Sequence, residues 1–275
     1  MGIEEHLISV VIPNFNNSDY IKSSIESVLN QTYENLEVVV VDDCSTDNSC
    51  EIVEKIILVD KRVRLLRNEK NSGVTFTRDR GIKEARGEFI STLDSDDLYL
   101  NTNKIVNEYS LLKASNFDKY QIGFSGVLRI DESDKPINEI NGGKEVSEGE
   151  IFMNLLIRQG FIPRDFLFSK KIYEEVDGFD LNLPIYEDWD LKIRMSQKAN
   201  FKYTGEVGIG YRFIKSSLSR AKTKKKLYWL NYIFDKNVPE SQRDSLLTKF
   251  KSNLQLGFSS KVKNKIKKTI LSLRR

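Results

Sequence analysis

The stretch Glu88-Phe-Ile-Ser-Thr-Leu-Asp-Ser-Asp-Asp97 sets three carboxylates directly after a short apolar run. Phe89 to Leu93 reads as a buried strand, with Asp94, Asp96 and Asp97 at its C-terminal end. Ligands of open α/β sheets bind at that end of the strands, and clustered carboxylates there suit a hard divalent cation or a sugar hydroxyl. A turn between strand and helix also accommodates Asp-Ser-Asp-Asp. Taken alone, the stretch leaves a turn and a ligand site equally open, so its surroundings decide.

Upstream, strand and helix signals alternate. Leu7-Ile-Ser-Val-Val-Ile12 is a β-branched run that Pro13 is expected to end. Asn14-Phe-Asn-Asn17 then forms a loop, and Ser18 or Asp19 caps a helix with Ile21, Ile25, Val28 and Leu29 at helical spacing. Leu36 to Val41 is a second buried strand ending in Asp42-Asp43. The helix from Asn48 carries Ile52, Val53, Ile56 and Ile57 on one face. Val63 to Leu66 is a third strand. Asn71-Ser-Gly73 turns into a helix through Ile82, whose end Gly87 is expected to mark.

Near-continuous Val/Ile strands alternating with amphipathic helices predict an α/β fold, with a mostly parallel, Rossmann-like central sheet and helices on both faces. Asn14, Asn16, Asp42, Asp43, Asn71, Asp94 and Asp96 all follow strand ends. They fall on one edge, as a single ligand site requires.

Past residue 100 the alternation loosens. A helix near Thr102–Ala114 precedes a strand at Gln121–Ile130 and a polar loop through Gly142-Gly143. A helix at 150–158, a strand-like run at Phe161–Phe168 and a short helix at Ser169–Val176, closed by Gly178, come next. Glu187-Asp-Trp-Asp190 opens a helix with Leu191, Ile193 and Met195 partly buried, and Phe201–Phe213 reads as strand pieces broken by glycines. The expected organisation is a donor-binding α/β half over 1–100, an acceptor-binding half of the same domain over 101–215, and a basic helical extension over 216–275.

The chain has 275 residues, 39% hydrophobic and 30% charged, which is ample material for a core. No apolar run approaches the roughly 20 residues that span a bilayer, and no signal-peptide core is present. Cys44 and Cys50 lack metal-site spacing, so free thiols are expected. The net charge of +3 is unevenly distributed: residues 215–275 carry 17 Lys and Arg against three acids, a charge of +14, which leaves −11 for the rest. Val262, Ile266, Ile270 and Leu273 form an apolar stripe among Lys261, Lys263, Lys265, Lys267 and Lys268. Such a helix either lies on an anionic membrane surface or packs its stripe on the body. An acidic body argues against nucleic acid.

Glycine-rich phosphate loops are absent. The turn after the first strand reads Pro13-Asn-Phe-Asn-Asn17 rather than G-x-G-x-x-G, and no G-x-x-x-x-G-K-[ST] occurs. A nucleotide held here needs another way to neutralise its diphosphate, and a metal on Asp94 and Asp96 supplies one.

Ser9-Val-Val-Ile-Pro-Asn-Phe-Asn-Asn17, Gln31-Thr-Tyr33, Val40-Val-Asp-Asp43 with Ser45-Thr-Asp47, Asn71-Ser-Gly73 and Leu93-Asp-Ser-Asp-Asp97 resemble the family 2 glycosyltransferases. Asp177-Gly-Phe-Asp180, then Tyr186-Glu-Asp-Trp-Asp190 and Arg194, extend the resemblance to about residues 7–215. It implies an inverting enzyme of the GT-A fold using a nucleotide sugar, UDP-linked, with a lipid-linked surface glycan as acceptor. By the same resemblance Pro13, Phe15, Asn16 and Asp43 hold the base and ribose, and Arg78 approaches the diphosphate. Asp94, Ser95 and Asp96 form the DxD motif, with Asp94 and Asp96 serving Mn²⁺ or Mg²⁺. Asp188 is the general base. The cytoplasmic, inner-membrane location expected for such an enzyme joins family habit to the basic tail.

Several positions depart from the family pattern. Cys44 stands where glycine is usual, Asp79 where Asn is common after Arg78, and Ile214 where a His is often found. His6 is the single histidine, which leaves the metal to Asp96, diphosphate and water. The runner-up readings are a nucleotidyltransferase, which wants a Gly-rich basic first loop, and a glycan-binding or membrane-scaffolding protein that has kept the fold. By residue statistics Glu187 and Asp188 could be mere helix N-terminal acids and Trp189 mere core.

Overall fold

A computed structural model describes residues 6–137, 141, 145–213 and 223–256. The N-terminal half is β1 (Ile8–Asn14), α1 (Ile21–Leu29), β2 (Leu36–Asp42), α2 (Ser49–Val59), β3 (Val63–Arg67), α3 (Val74–Glu84) and β4 (Phe89–Thr92). These strands are parallel in the order β3-β2-β1-β4, and β7 (Phe168–Ser169) adds an antiparallel edge beside β4. Alternation along the strands feeds two cores. Val11, Val39, Val41 and Ile90 pack on one face, and Ile8, Val10, Ile12, Val38 and Val40 on the other. Burial on both faces explains the unbroken Val/Ile runs.

The second half adds β5 (Leu98–Tyr99), α4 (Lys104–Ala114), β6 (Gln121–Ile130), α5 (Phe152–Leu156), α6 (Lys170–Glu175), α7 (Glu187–Ser196) and β8 (Asn200–Arg212). β5, β8 and β6 make a three-stranded sheet in that order, with β6 and β8 parallel. α8 (Thr223–Asn237) and α9 (Arg243–Leu256) close the described chain. Leu227, Leu230, Ile233, Phe234, Leu246, Phe250 and Leu254 join the core that contains Trp189 and Leu191. The described part of the basic region is therefore packed on the body from Leu227 to Leu254. The stripe from Val262 to Leu273 lies outside the described residues, as do Gly142, Gly143 and Ile214.

Local expectations needed correction in several places. Pro13 does not end the first strand: β1 continues beside β2 to the pair Asn14–Asp42, while its pairing with β4 stops at Val11. Pro13 is tolerated because a residue without an N–H can sit where one ladder has already ended. Neither Ser18 nor Asp19 caps α1; the first-turn amides of Tyr20 and Ile21 donate instead to the Asn17 carbonyl, at 3.0 and 2.9 Å. Gly87 is not a helix terminator, because α3 ends at Glu84. A Cβ on Gly87 would lie 2.6 Å from Ser9 Oγ and 2.7 Å from the Leu7 carbonyl, so closeness to β1 requires the glycine.

Phe161–Phe168 is mostly an irregular buried segment, bridged to its neighbours at Phe161 and Leu167 before Phe168 enters β7 beside Ile90. Its centre, Pro163-Arg164-Asp165, lacks one N–H and turns its arginine to the carboxylates of the strand-end turn. Asn200–Arg212 forms one 13-residue strand rather than pieces, with the irregularity absorbed as register shifts against β6. Leu191, Ile193 and Met195 are fully buried, not partly.

Candidate active site

The strand order puts a topological switch between β1 and β4, where the chain turns from building one side of the sheet to the other. In open α/β sheets, ligands bind between the loops at the C-terminal ends of such strands. The loop after β1 reaches the loop after β4 directly: Asn17 Nδ2 donates to Ser95 Oγ at 2.7 Å. Ser24 Oγ of α1 donates to the carbonyls of Ser95 and Asp97 at 2.8 and 2.7 Å, and the Asp97 N–H donates to the Asp94 carbonyl at 3.0 Å. Asp94 to Asp97 is therefore a tight turn held by α1, and it is also the centre of a charge cluster.

Arg78, on α3, is buried and bridges Asp94 to Glu187 at the start of α7. Arg164 joins Asp94 Oδ2 at 2.9 Å, Asp97, and Asp165 Oδ2 at 3.4 Å, while its guanidinium lies 4.3 Å from the Tyr211 ring centre. Lys192 Nζ donates to Asp188 Oδ2 at 2.8 Å and to the carbonyls of Ile162 and Pro163 at 3.2 and 3.4 Å. Three arginines, counting Arg212 whose guanidinium binds the Asp96 carbonyl, and one lysine thus face six carboxylates: Asp94, Asp96, Asp97, Asp165, Glu187 and Asp188. A site with that excess of negative charge is electrostatically ready for a cation.

The acids do not share one environment. Burial is the largest influence on Asp188 and raises its pKa, but Lys192, Arg78 and Arg164 together overcome it and hold the group at about 2. Asp188 is ionised and its side chain is 31% exposed, so an incoming hydroxyl can reach it. Burial pushes Glu187 up despite Arg78, and burial pushes Asp97 well up despite Arg164. Asp96 is raised by burial and by the neighbouring Asp94.

A metal can be tested against this arrangement. Oxygens of Asp94, Asp96 and Asp97 lie within 4.8 Å of one another. Arg78 and Arg164 occupy Asp94; Arg164 and the Arg212 N–H, at 2.8 Å, occupy Asp97. Among the described residues no other residue's side chain bonds to the carboxylate of Asp96. The donors are all hard oxygens, which fits Mn²⁺ or Mg²⁺, with Asp96 the most available. His6 is remote from this edge: its Nδ1 pairs with Tyr109 Oη at 2.8 Å, and its ring packs on Phe89 and Phe117.

The remaining expected donor-site residues lie along the same edge in different roles. Phe15 is 45% exposed beyond β1, and Asn16 beside it is left-handed at φ 52°. The Asn16 N–H donates to Ser45 Oγ at 2.9 Å, and its Oδ1 accepts from the Thr46 N–H at 2.8 Å. Pro13 is buried within β1. Asp43 binds its own surroundings: it accepts from Asn68 Nδ2 at 2.7 Å and from the Ser72 and Gly73 N–H groups at 2.8 Å each. It thereby shapes the Asn71–Gly73 turn that launches α3 and Arg78. Asn14 Oδ1 is buried without a hydrogen-bond partner among the described residues.

Two departures from the family pattern acquire physical content. Cys44 keeps the left-handed turn at φ 65° that glycine adopts freely, so the substitution preserves the turn at some backbone cost. Asp79 accepts from Tyr173 Oη at 2.8 Å and pairs with Lys83, which turns it away from the nucleotide side and into the support of the Gly178 turn. Trp189 is core: its indole N–H donates to the Leu155 carbonyl at 2.8 Å, and its ring stacks on Phe250.

Sequence reasoning missed Arg164, Asp165 and Lys192. Arg164-Asp165 left a trace, a charged pair inside the apolar run Phe161–Phe168, which needs charged partners if it is buried. Lys192 was visible as the i,i+4 partner of Asp188.

Residues 9–117 match the family model for glycosyl transferase family 2. Glycosyltransferase GlyG of Streptococcus pneumoniae is 39% identical over 128 residues, 46% of this chain and 41% of that protein. The Escherichia coli protein WfgD, named as a UDP-Glc:α-D-GlcNAc-diphosphoundecaprenol β-1,3-glucosyltransferase, is 38% identical over 115 residues, 42% of this chain and 44% of that one. The matches thus span less than half of either relative. In structure the chain resembles S. aureus TarS 1–349 in complex with UDP-GlcNAc, with a TM-score of 0.69 and 18% identity, over 92% of this chain and 76% of that one. That likeness establishes the GT-A type of fold.

Proposed function

From a chain whose residues 9–117 match the model for glycosyl transferase family 2, we propose an inverting transferase that moves a sugar from a UDP-sugar to a hydroxyl of a lipid-linked glycan. The observation that carries this reading is Arg78, whose bridge from Asp94 to Glu187 brings the strand-end carboxylates and the acids of α7 into one site. Direct displacement with inversion needs one base on the acceptor side and a stabilised leaving group opposite. Asp188, ionised and partly exposed, takes the proton of the attacking hydroxyl. Arg78 and Arg164 lie where a departing diphosphate's charge can draw them from Asp94. Phe15 and Asn16 flank the base and ribose, and the unpartnered Asn14 Oδ1 offers an acceptor for a nucleotide N–H. The UDP and UDP-GlcNAc complexes of TarS support the donor class, and the name of WfgD supports the acceptor class.

Asp96, with Asp94, would hold Mn²⁺ or Mg²⁺, a Lewis acid for the leaving diphosphate. Because Arg78 and Arg164 already neutralise Asp94, metal affinity should be weak until a diphosphate engages them. Calorimetry should show Mn²⁺ binding at least about tenfold tighter with UDP present, the equivalent of about 1.4 kcal/mol. Tight binding to the free protein would refute this order. A panel of nucleotide sugars, scored by hydrolysis and thermal stabilisation, tests the function itself; no response to any UDP-sugar would overturn it.

We also assign the basic end of the chain to an anionic membrane surface, which would bring the enzyme to a lipid-linked acceptor. Among the described residues no helix is long and apolar enough to cross a membrane. Truncation before Lys261 should abolish flotation with phosphatidylglycerol vesicles, and unchanged flotation would refute the assignment.

A further inference from the structure

Arg158 lies at the C-terminal end of α5 and pairs with none of the carboxylates of the strand-end cluster. α5 ends in a Schellman turn: the Arg158 N–H donates to the Leu155 carbonyl at 3.0 Å and the Gln159 N–H to the Asn154 carbonyl at 2.8 Å. Arg158 sits at the left-handed position of that turn, with φ 58°. Glycine is preferred there, and any Cβ is disfavoured. Eight other described non-glycine residues share a positive φ, so what singles out Arg158 is where its side chain lies.

The side chain is exposed, and its guanidinium lies 4.9 Å from the Trp189 ring centre and 5.3 Å from that of Tyr186. Those two residues bracket Glu187 and Asp188 in sequence, and the Asp188 charge acts on the Arg158 guanidinium, so the cation lies within electrostatic reach of the base. Arg78, Arg164, Arg194 and Arg212, the other arginines around α7 and the strand-end turn, each hold a carboxylate. Among the described residues Arg158 has none within ion-pair distance and donates no side-chain hydrogen bond. Stacking on the rings orients the guanidinium in advance and leaves its N–H edges free, the geometry that captures a two-oxygen anion.

We propose that Arg158, held on Tyr186 and Trp189, is an acceptor-side anion site that takes a phosphoryl or carboxylate group of the acceptor. The inference rests on the glycosyl-transfer reading, since that reading puts the acceptor on the Asp188 side. An anionic acceptor approaching the ionised Asp188 meets repulsion, and a cation within electrostatic reach of the base offsets it. Specificity for a charged acceptor follows from a group that plays no part in donor binding.

Calorimetry on the full chain tests this with two probes, butyl diphosphate and methyl glucuronide, titrated with UDP present at millimolar concentration. A separate UDP titration reports on the donor reading, while dependence on Arg158 reports on the inference, so either can fail alone. We expect one anion to bind the wild type, at least tenfold more weakly to Arg158→Gly and Arg158→Gln, with partial recovery in Arg158→Lys. Binding of the diphosphate alone identifies a phosphoryl group; binding of the glucuronide alone identifies an acidic sugar. Arg158→Gly should unfold at the same temperature as wild type or higher, because the turn prefers glycine. Equal affinity in wild type and both charge-removing variants, or no binding of either anion to wild type, overturns the proposal.

Discussion

Asp188→Asn should lower the rate of sugar transfer by about 10²–10⁴-fold while leaving UDP binding near that of the wild type; the unfolding temperature should fall, because the buried Lys192 loses its ionised partner. The substitution is nearly isosteric, and Lys192 keeps the carbonyls of Ile162 and Pro163 as partners. The start of α7 should therefore stay in place. What disappears is the ionised, partly exposed carboxylate at the start of α7 that accepts the proton of the attacking hydroxyl. Turnover equal to wild type would remove Asp188 as the base and favour the bland reading of an acid at a helix N-terminus.

The pH dependence follows from the same group. Asp188 is depressed to about 2, so in the free protein it is ionised across the neutral range. The kcat/KM profile should therefore show no rising acid limb from this residue between about pH 5 and 8. A carboxylate that acidic is a weak base, however. Lys192, Arg78 and Arg164 depress it, and a diphosphate lying against the two arginines would offset part of their field, raising the proton affinity of Asp188 as the donor binds. Linkage to stability runs in the usual carboxylate direction: the stabilisation from ionised Asp188 is present above its unfolded value and is lost as pH falls towards 2.

Much of this site was legible in the sequence because it is built from strand ends. Parallel strands buried on both faces advertise themselves as Val/Ile runs, and the polar residue after each run must lie on one edge. Asp43, Asp94, Asp96 and the turn at Asn71–Gly73 were found that way, and the structure sets them along one edge. Asp188 was different, since nothing in the spacing of Glu187-Asp-Trp-Asp190 separates a base from a capping acid; family resemblance supplied it. Arg164 was invisible for a third reason. It reaches the cluster from an irregular segment with no period, and its partners lie 67 and 70 residues upstream, at Asp97 and Asp94. Trp189 shows the converse, since an aromatic beside a base invites a sugar-stacking role that the stack on Phe250 denies.

The largest effect on stability should come from a pair remote from the chemistry. Lys104 and Glu108 of α4 have wholly buried side chains and are joined at 2.8 Å. Lys104 Nζ also donates to Ser91 Oγ of β4 at 3.2 Å, and Ser125 Oγ of β6 donates to Glu108 Oε1 at 2.8 Å. The pair therefore ties the strand that delivers Asp94 to the second sheet. Removing one partner leaves a buried charge uncompensated, so Lys104→Met should cost about 3–5 kcal/mol in urea unfolding. Burial already raises the Glu108 pKa, and Lys104 opposes that rise. Without the lysine the folded pKa climbs further above the unfolded one. A proton then favours the folded state, so the deficit should be smaller at pH 5 than at pH 8. The double variant Lys104→Met/Glu108→Leu should recover most of the loss, because Ser91 still meets Tyr99 Oη at 2.8 Å and Ser125 still has Thr204 Oγ1 at 3.3 Å. If the double variant regains stability but not transfer, the pair's task is to hold β4 and its Asp94 turn in register with the acceptor half. If it regains both, packing alone suffices there and the ion pair is dispensable.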